Sequence, residues 1–424
     1  MTPPNGKTVA LIDPLWIGHH PMYFCQFTAS FLRTGANVIG LCPDPAAARR
    51  DLQKAIGDPS SSQIQDRVFF HELPPGKRSF FKGRFEGDPL RTFLRWKSAA
   101  DRLAVAEALS GMTADLVFFP YLDSYLRFLP FASIPQLLLN RRWSGLYMRN
   151  HHHGEKPSLV KSLRLLGKGD EILQSKLCKE IGVLDERFIP AMEKLCKSKV
   201  IAFPDVTQAN LPDQPSSLAV RIKDQAAGRK IIGLIGLERR KGFFTCLRVA
   251  ELAQEQDLPY FFVVVGTMHL REFSITEQEK IRSIIAGITA GKIKNLHFDP
   301  TADRIPDEAD YNSLFTTFDI AWAAYEGFQG SSGTLSKAAA FEIPCLATAG
   351  ECIGQRVEKY ELGLTIPEAD PEQALAAIPH ILADTDREGH PLQSRFEAYR
   401  EQHSQARLDR ILADLLGMLE VPPL

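Results

Sequence analysis

The sequence predicts an α/β protein built from two doubly wound parallel-sheet domains facing each other across a cleft. Three observations carry this. Short apolar runs of the buried-strand type alternate with longer helical patterns, the alternation stops at a proline-rich stretch and then restarts, and small or charged residues fall just past several runs. Strands buried on both faces and separated by helices are the mark of parallel βαβ units.

Along the first half, TVALID is followed by a Gly-His loop and the helix-like MYFCQFTASFLRTG, and NVIGLC, ending at Cys42, by AAARRDLQKAI. RVFFHE precedes a long basic segment, DLVFFP precedes DSYLRFL, and IGVLDE and KVIAFP complete the series, giving a first domain over residues 1–205. Residues 206–228 are rich in proline and polar side chains without a strong period, and read as a linker. The pattern restarts with KIIGLIG, FFVVVG, NLHF, DIAWAAY, PCLATAG and GLTI, each followed by a helical segment, giving a second domain over 229–390. Residues 391–424 keep helical spacing and read as a terminal helix that packs back on the first domain.

With 424 residues, 44% of them apolar, the chain has ample material for two cores. The opening MTPPNGKT lacks signal-peptide order and no apolar run approaches a membrane span, so the expected place is the cytoplasm. Seven scattered cysteines, none in a CxxC pair, read as buried thiols and give no metal site. His151, His152 and His153 are adjacent in sequence and do not converge on one ion as i, i+4 pairs do; they read as a solvated loop. The net charge of −1 divides unevenly: residues 1–205 carry 28 Lys and Arg against 20 Asp and Glu, a balance of +8, and the remainder balances at −9. A basic first half suits an anionic partner or surface.

Ligands of doubly wound sheets sit at the carboxyl ends of the strands, so chemistry is expected just past them. After KIIGLIG, Arg239, Arg240 and Lys241 bring three cations to a helix start, a pocket suited to a diphosphate. After DIAWAAY comes YEGFQGSSGTLSKAAAFEIP, where Ser331, Ser332, Gly333 and Thr334 open a helix with hydroxyls and backbone N–H groups for a phosphate oxygen. Glu326, one residue past that strand, suits the hydroxyls of a sugar or a developing cation. Gly18, His19 and His20 follow the first strand, and either imidazole suits a general base toward a hydroxyl or a donor to a phosphate or ring oxygen. In residues 77–97, basic side chains interleave with Phe80, Phe81, Phe85, Phe93 and Trp96. A plain loop leading into a helix explains that stretch first, and peripheral membrane or acidic-glycan contact comes next. Nucleic acid is set aside because the chain is near neutral overall.

The order of these motifs resembles the C-terminal half of GT-B glycosyltransferases, specifically the large retaining group that includes sucrose synthases and bacterial polysaccharide enzymes. The RRKG loop, the VVVG strand end, DIAWAAYEGF, KAAAFEIPCLATAG and GLTI stand at family-like spacing over residues 229 to 380. The resemblance implies two Rossmann-like domains in the GT-B arrangement and transfer of a sugar from a nucleotide-sugar donor to a glycan or lipid-linked acceptor, with no further cofactor. It implies that Lys241, with Arg240 or Arg239, holds the donor diphosphate and that Glu326 lies near the donor sugar. Two positions depart: Lys337 stands where the second Glu of the paired-glutamate motif is expected, and Gln355 where a Glu is common. An epimerase or hydrolase on the same architecture, and a non-catalytic nucleotide-binding relative, are the alternatives.

Overall fold

The structure is a computed structural model that describes residues 6–56, 66–74, 89–126, 133–148, 170–300 and 308–418. The chain divides into two compact units, Met1–Pro204 together with Gln405–Leu424, and Asp205–Ser404. Each is built on one parallel sheet.

In the first unit, β1 (Thr8–Ile12), β2 (Asn37–Cys42), β3 (Val68–Glu72), β4 (Leu116–Phe119), β5 (Trp143–Tyr147), β6 (Cys178–Val183) and β7 (Lys199–Ala202) run in the order β3-β2-β1-β4-β5-β6-β7. The described helices are α1 (His20–Arg33), α2 (Pro45–Ile56), α3 (Pro89–Ser110), α4 (Asp123–Leu126), α5 (Ile134–Leu138) and α6 (Ile189–Leu195). Every residue of β1, β2, β4 and β5 is buried, as a sheet covered on both faces requires. One face packs Ile12, Val117, Phe119 and Trp143 against Trp96 and Tyr125. β5 is absent from the sequence-derived series because WSGLY is interrupted by a serine and a glycine and lies between cations.

The second unit contains α7 (Ser217–Ala226), β8 (Lys230–Ile235), α8 (Phe243–Glu255), β9 (Tyr260–Val265), α9 (Ile275–Thr289), β10 (Leu296–Asp299), α10 (Glu308–Phe315), β11 (Ile320–Ala323), α11 (Gly333–Ala340), β12 (Cys345–Thr348), α12 (Cys352–Tyr360), β13 (Gly363–Ile366), α13 (Pro371–Leu382) and α14 (Phe396–Gln402). Its strand order is β10-β9-β8-β11-β12-β13. Hydrophobic clusters cover both faces of this sheet.

Two segments differ from the sequence reading. The stretch taken as a linker carries α7, whose N-terminus is capped by the Ser216 hydroxyl accepting from the Ala219 N–H. The tail taken as one helix breaks at His403, where the buried Tyr399 ring stacks on the imidazole at 4.2 Å and the Asp205 N–H donates to His403 Nδ1 at 3.0 Å. α14 therefore closes the second unit, and α15 (Gln405–Leu416) belongs to the first. There Asp409 accepts from Arg33 Nε at 2.8 Å and from the Ser30 hydroxyl, while Gln405 Nε2 donates to Ser30 Oγ at 2.8 Å. All seven cysteines are buried free thiols. No helix among the described residues is long and apolar enough to cross a membrane.

Candidate functional site

In the second unit the chain leaves β8 toward β9 on one side and leaves β11 toward β12 on the other. Loops that diverge in this way open a crevice at the carboxyl ends of β8 and β11, the usual ligand position in an open parallel sheet. The β8 loop runs through Gly236 and a tight turn at Arg239–Lys241 to Gly242, which starts α8 with no side-chain cap. Among the described residues no side chain caps the first N–H groups of α8, leaving an end suited to an anion. Glycine is needed at 242: its φ is 70°, and a Cβ would lie 2.1 Å from Ala324 O and 3.1 Å from Trp322 Nε1. That clearance seats the turn directly on the end of β11.

Glu326 is locked into the same turn. Its N–H donates to Arg240 O at 2.8 Å, and its carboxylate accepts from Thr245 Oγ1 at 2.5 Å. Thr245 lies on the first turn of α8, so the helix start positions the acid. The three cations are distributed rather than pooled. Arg239 pairs with Glu277 at 3.2 Å, and Arg240 pairs with Glu238 at 2.5 Å while lying over the Phe328 ring. Lys241 turns back over Gly236 to donate to Ile235 O at 2.9 Å. A half-buried ammonium therefore caps the carboxyl end of β8.

The SSGT turn corrects one expectation. Ser332 caps α11 by accepting from the Thr334 N–H at 3.1 Å, and both hydroxyls turn inward onto Tyr325 Oη, each at 2.9 Å. Ser332 and Thr334 are buried, so their side chains serve this network and do not face a phosphate. Ser331 is half-buried and Gly333 exposed, and these two remain at the surface. Tyr325 is further held by Thr348 Oγ1, which donates to its carbonyl at 2.6 Å.

Lys337 stands apart from the crevice. Its ammonium is buried and donates to Asn312 Oδ1 at 2.6 Å, Glu308 Oε1 at 2.5 Å and the Gln208 carbonyl. Burial holds it below its ordinary 10.5, with Glu308 pulling the other way. The cation that departs from the family pattern is a structural pin on the segment entering the unit. Gln355 is exposed and donates to Gly350 O at 3.0 Å.

The first unit has its own switch point between β1 and β4. Past β1, Gly18 adopts φ 60° and His19 is exposed, whereas His20 is buried at the start of α1. The structure separates the two imidazoles. His20 Nδ1 lies 2.8 and 2.9 Å from the two oxygens of Asp13, a fully buried residue at the end of β1, and its ring stacks on Tyr121 at 4.1 Å. The Leu15 N–H also donates to Asp13 at 3.0 Å. Burial pushes the Asp13 carboxyl above its ordinary 3.8, opposed by His20, the Leu15 N–H and Arg95. Asp13, Tyr121 and Thr245 are absent from the sequence-derived candidates. An acid at a strand end, seven residues before a histidine, is the signal that points to Asp13.

Of residues 77–97, 77–88 lie outside the described residues, with Phe80, Phe81 and Phe85 among them. The remainder corrects the surface reading: Trp96 is fully buried, donates to Tyr125 O at 2.9 Å and packs on Trp143 and Phe119. Truncating a side chain so placed costs about 3–5 kcal/mol, which marks it as core. Phe93 packs partly buried against the same cluster. His151, His152 and His153 also lie outside the described residues.

No protein-family model matches the chain, and no curated protein matches it either. Solved structures do. A sucrose-phosphate synthase from Thermosynechococcus elongatus superposes with a TM-score of 0.63 at 16% identity, covering 97% of this chain and 99% of the other. A glycosyltransferase from Rickettsia africae gives 0.62 at 13% identity, covering 98% and 99%. Anabaena HepE, solved with UDP and glucose, gives 0.60 at 14% identity, covering 98% and 100%. The chain has the two-domain α/β fold of these GT-B proteins over nearly its whole length.

Proposed function

We propose that the protein is a glycosyltransferase that moves a sugar from a nucleotide-diphosphate sugar to a glycan or lipid-linked acceptor, with retention at the sugar carbon. The observation that carries this reading is the crevice of the second unit, where an uncapped helix start, the Lys241 ammonium and the Thr245-held Glu326 meet at the ends of β8 and β11. The likeness to HepE, solved with UDP-glucose, supports a uridine donor first. In this reading the α8 N–H groups and Lys241 take the diphosphate, assisted by Arg239 and Arg240 once their acids yield. Ser331 and the backbone at Gly333 add further contacts, and Glu326 faces the sugar.

Fixed dipoles and charges of this kind act where negative charge builds on the leaving diphosphate. In retention, the C–O bond to the diphosphate breaks as the acceptor oxygen bonds the same face, and the acceptor proton passes to the diphosphate oxygen. The protein supplies position and charge stabilisation. The basic first unit is the acceptor side, and Gly18, His19 and His20 are its candidates.

The test is a panel of UDP-, GDP- and ADP-sugars, read by donor hydrolysis and by thermal shift, on the wild type and Lys241→Ala. Binding that falls at least tenfold in the variant supports the diphosphate role. If no donor binds the wild type and the variant is indistinguishable, the proposal is lost. Binding without turnover of any donor identifies a non-catalytic nucleotide-binding protein instead.

A further inference from the structure

The sequence leaves two roles open for a histidine after β1: acceptor of a hydroxyl proton, or donor to a phosphate or ring oxygen. The geometry points away from the second, and we infer that Asp13 is a positioning residue that commits His20 Nδ1 as a hydrogen-bond donor and leaves Nε2 as the atom that receives a hydrogen bond from a substrate hydroxyl, orienting it without taking its proton. This deepens the glycosyltransferase reading and rests on it for the identity of the hydroxyl.

Asp13 has no exposed surface; one of its oxygens accepts from the Leu15 N–H at 3.0 Å, and both lie within 2.8 and 2.9 Å of His20 Nδ1. A buried carboxylate needs such donors, so Nδ1 must carry hydrogen toward it. The ring has no freedom to turn away. Tyr121 covers one face in a stack at 4.1 Å, and His20 sits on the first turn of α1, next to Pro21. What remains is the opposite ring edge, and the His20 side chain as a whole keeps 10% of its surface exposed. Among the described residues Nε2 has no hydrogen-bond partner.

Charged and titratable groups close to the pair include Arg95 from α3, whose guanidinium donates to Ser124 O at 2.7 Å, the buried Cys42 thiol at the end of β2, and the buried hydroxyl of Tyr125, which has no partner among the described residues. The pair therefore sits in a low-dielectric pocket at a strand-end switch point, the arrangement in which an oriented imidazole is most effective as an acceptor. A base held by a carboxylate at its far nitrogen keeps one tautomer while the near nitrogen works. No covalent step is assigned to His20. It orients the hydroxyl, and in the retaining reaction the proton still leaves on the diphosphate.

The experiment uses the full chain labelled with ¹⁵N-histidine, with His20→Gln to assign the signal. Hydrogen on Nδ1 and none on Nε2 is expected for His20 in the wild type. Asp13→Asn should move that signal toward the other tautomer or a mixture. With a donor and acceptor that turn over, Asp13→Asn should lower kcat about 10- to 100-fold with donor KM within about twofold. Asp13→Glu should restore part of the rate. A wild-type His20 bearing hydrogen on Nε2, alone or as imidazolium, overturns the inference, and so does an unchanged kcat in a variant whose signal has moved. The tautomer is read without any substrate. If no nucleotide sugar turns over, the glycosyltransferase reading fails while the NMR result still decides the Asp13 inference.

Discussion

Replacing Gly242 by alanine tests whether the turn after β8 and the end of β11 form one rigid corner. At φ 70° and ψ 31° the residue occupies the left-handed region, where a side chain costs about 1–2 kcal/mol. The new Cβ would stand 2.1 Å from the Ala324 carbonyl oxygen, against the 3.4 Å at which ordinary contact begins, so one backbone must retreat by more than an ångström. Forcing such a shift in a packed region costs ~1–3 kcal/mol more, for a total of about 2–5 kcal/mol. The shift has a defined victim: the 2.8 Å bond from the Glu326 N–H to Arg240 O spans the two elements that must separate. Hydrogen exchange resolved to the amide of Glu326 is the direct assay, together with urea unfolding. An opening free energy lowered by 2 kcal/mol raises exchange on the order of 30-fold. An alanine variant with wild-type exchange at Glu326 and stability within about 0.5 kcal/mol, the ordinary range for an innocuous surface change, would refute the corner.

Two further outcomes follow from side-chain contacts. Thr245→Val keeps shape but removes the donor to Glu326 Oε1; since a hydrogen bond to a charged group contributes about 1.5–3 kcal/mol, sugar turnover should fall by at least tenfold while nucleoside diphosphate binding holds, as titration calorimetry would report. Lys337→Met strands the buried Asn312 Oδ1 at a cost of roughly 1–3 kcal/mol, while the Gln208 carbonyl keeps its donor in Asn312 Nδ2 at 3.2 Å, and urea midpoints should drop accordingly at pH 7.5. The pH sign runs opposite to that of a surface lysine pair. Folding depresses the Lys337 value, so the buried charge is a penalty at full strength below the folded value that fades as pH rises toward 10.5. The wild type should therefore gain on Lys337→Met between pH 7.5 and 10, and a gap moving the other way contradicts the assignment.

The sheets were legible because parallel strands buried on both faces must be written as apolar runs, and TVALI, NVIGLC and YFFVVV can be little else. β5 hid because WSGLY, interrupted by a serine and a glycine between cations, carries no such signature. At the site, position was legible and orientation was not. Glycine and charge past a strand announced the RRKG turn and Glu326, but nothing in SSGT says that Ser332 and Thr334 look inward to Tyr325. Adjacent histidines are equivalent in a string. A helix start makes one of them buried, and a strand-end acid seven residues earlier gives it a partner. Lys337 misled for a related reason: measured against a family pattern it is a missing acid, whereas the fold uses it as a buried cation for three acceptors.

The return of α15 to the first unit reverses the order of synthesis. Residues 205–404 are contiguous and can complete their sheet as they emerge, while the first 204 residues wait for Asp409 to reach Ser30 and Arg33 and for Leu408, Leu412 and Leu415 to be buried. A chain stopped at Ser404 therefore holds every residue of the second unit and lacks the α15 segment of the first.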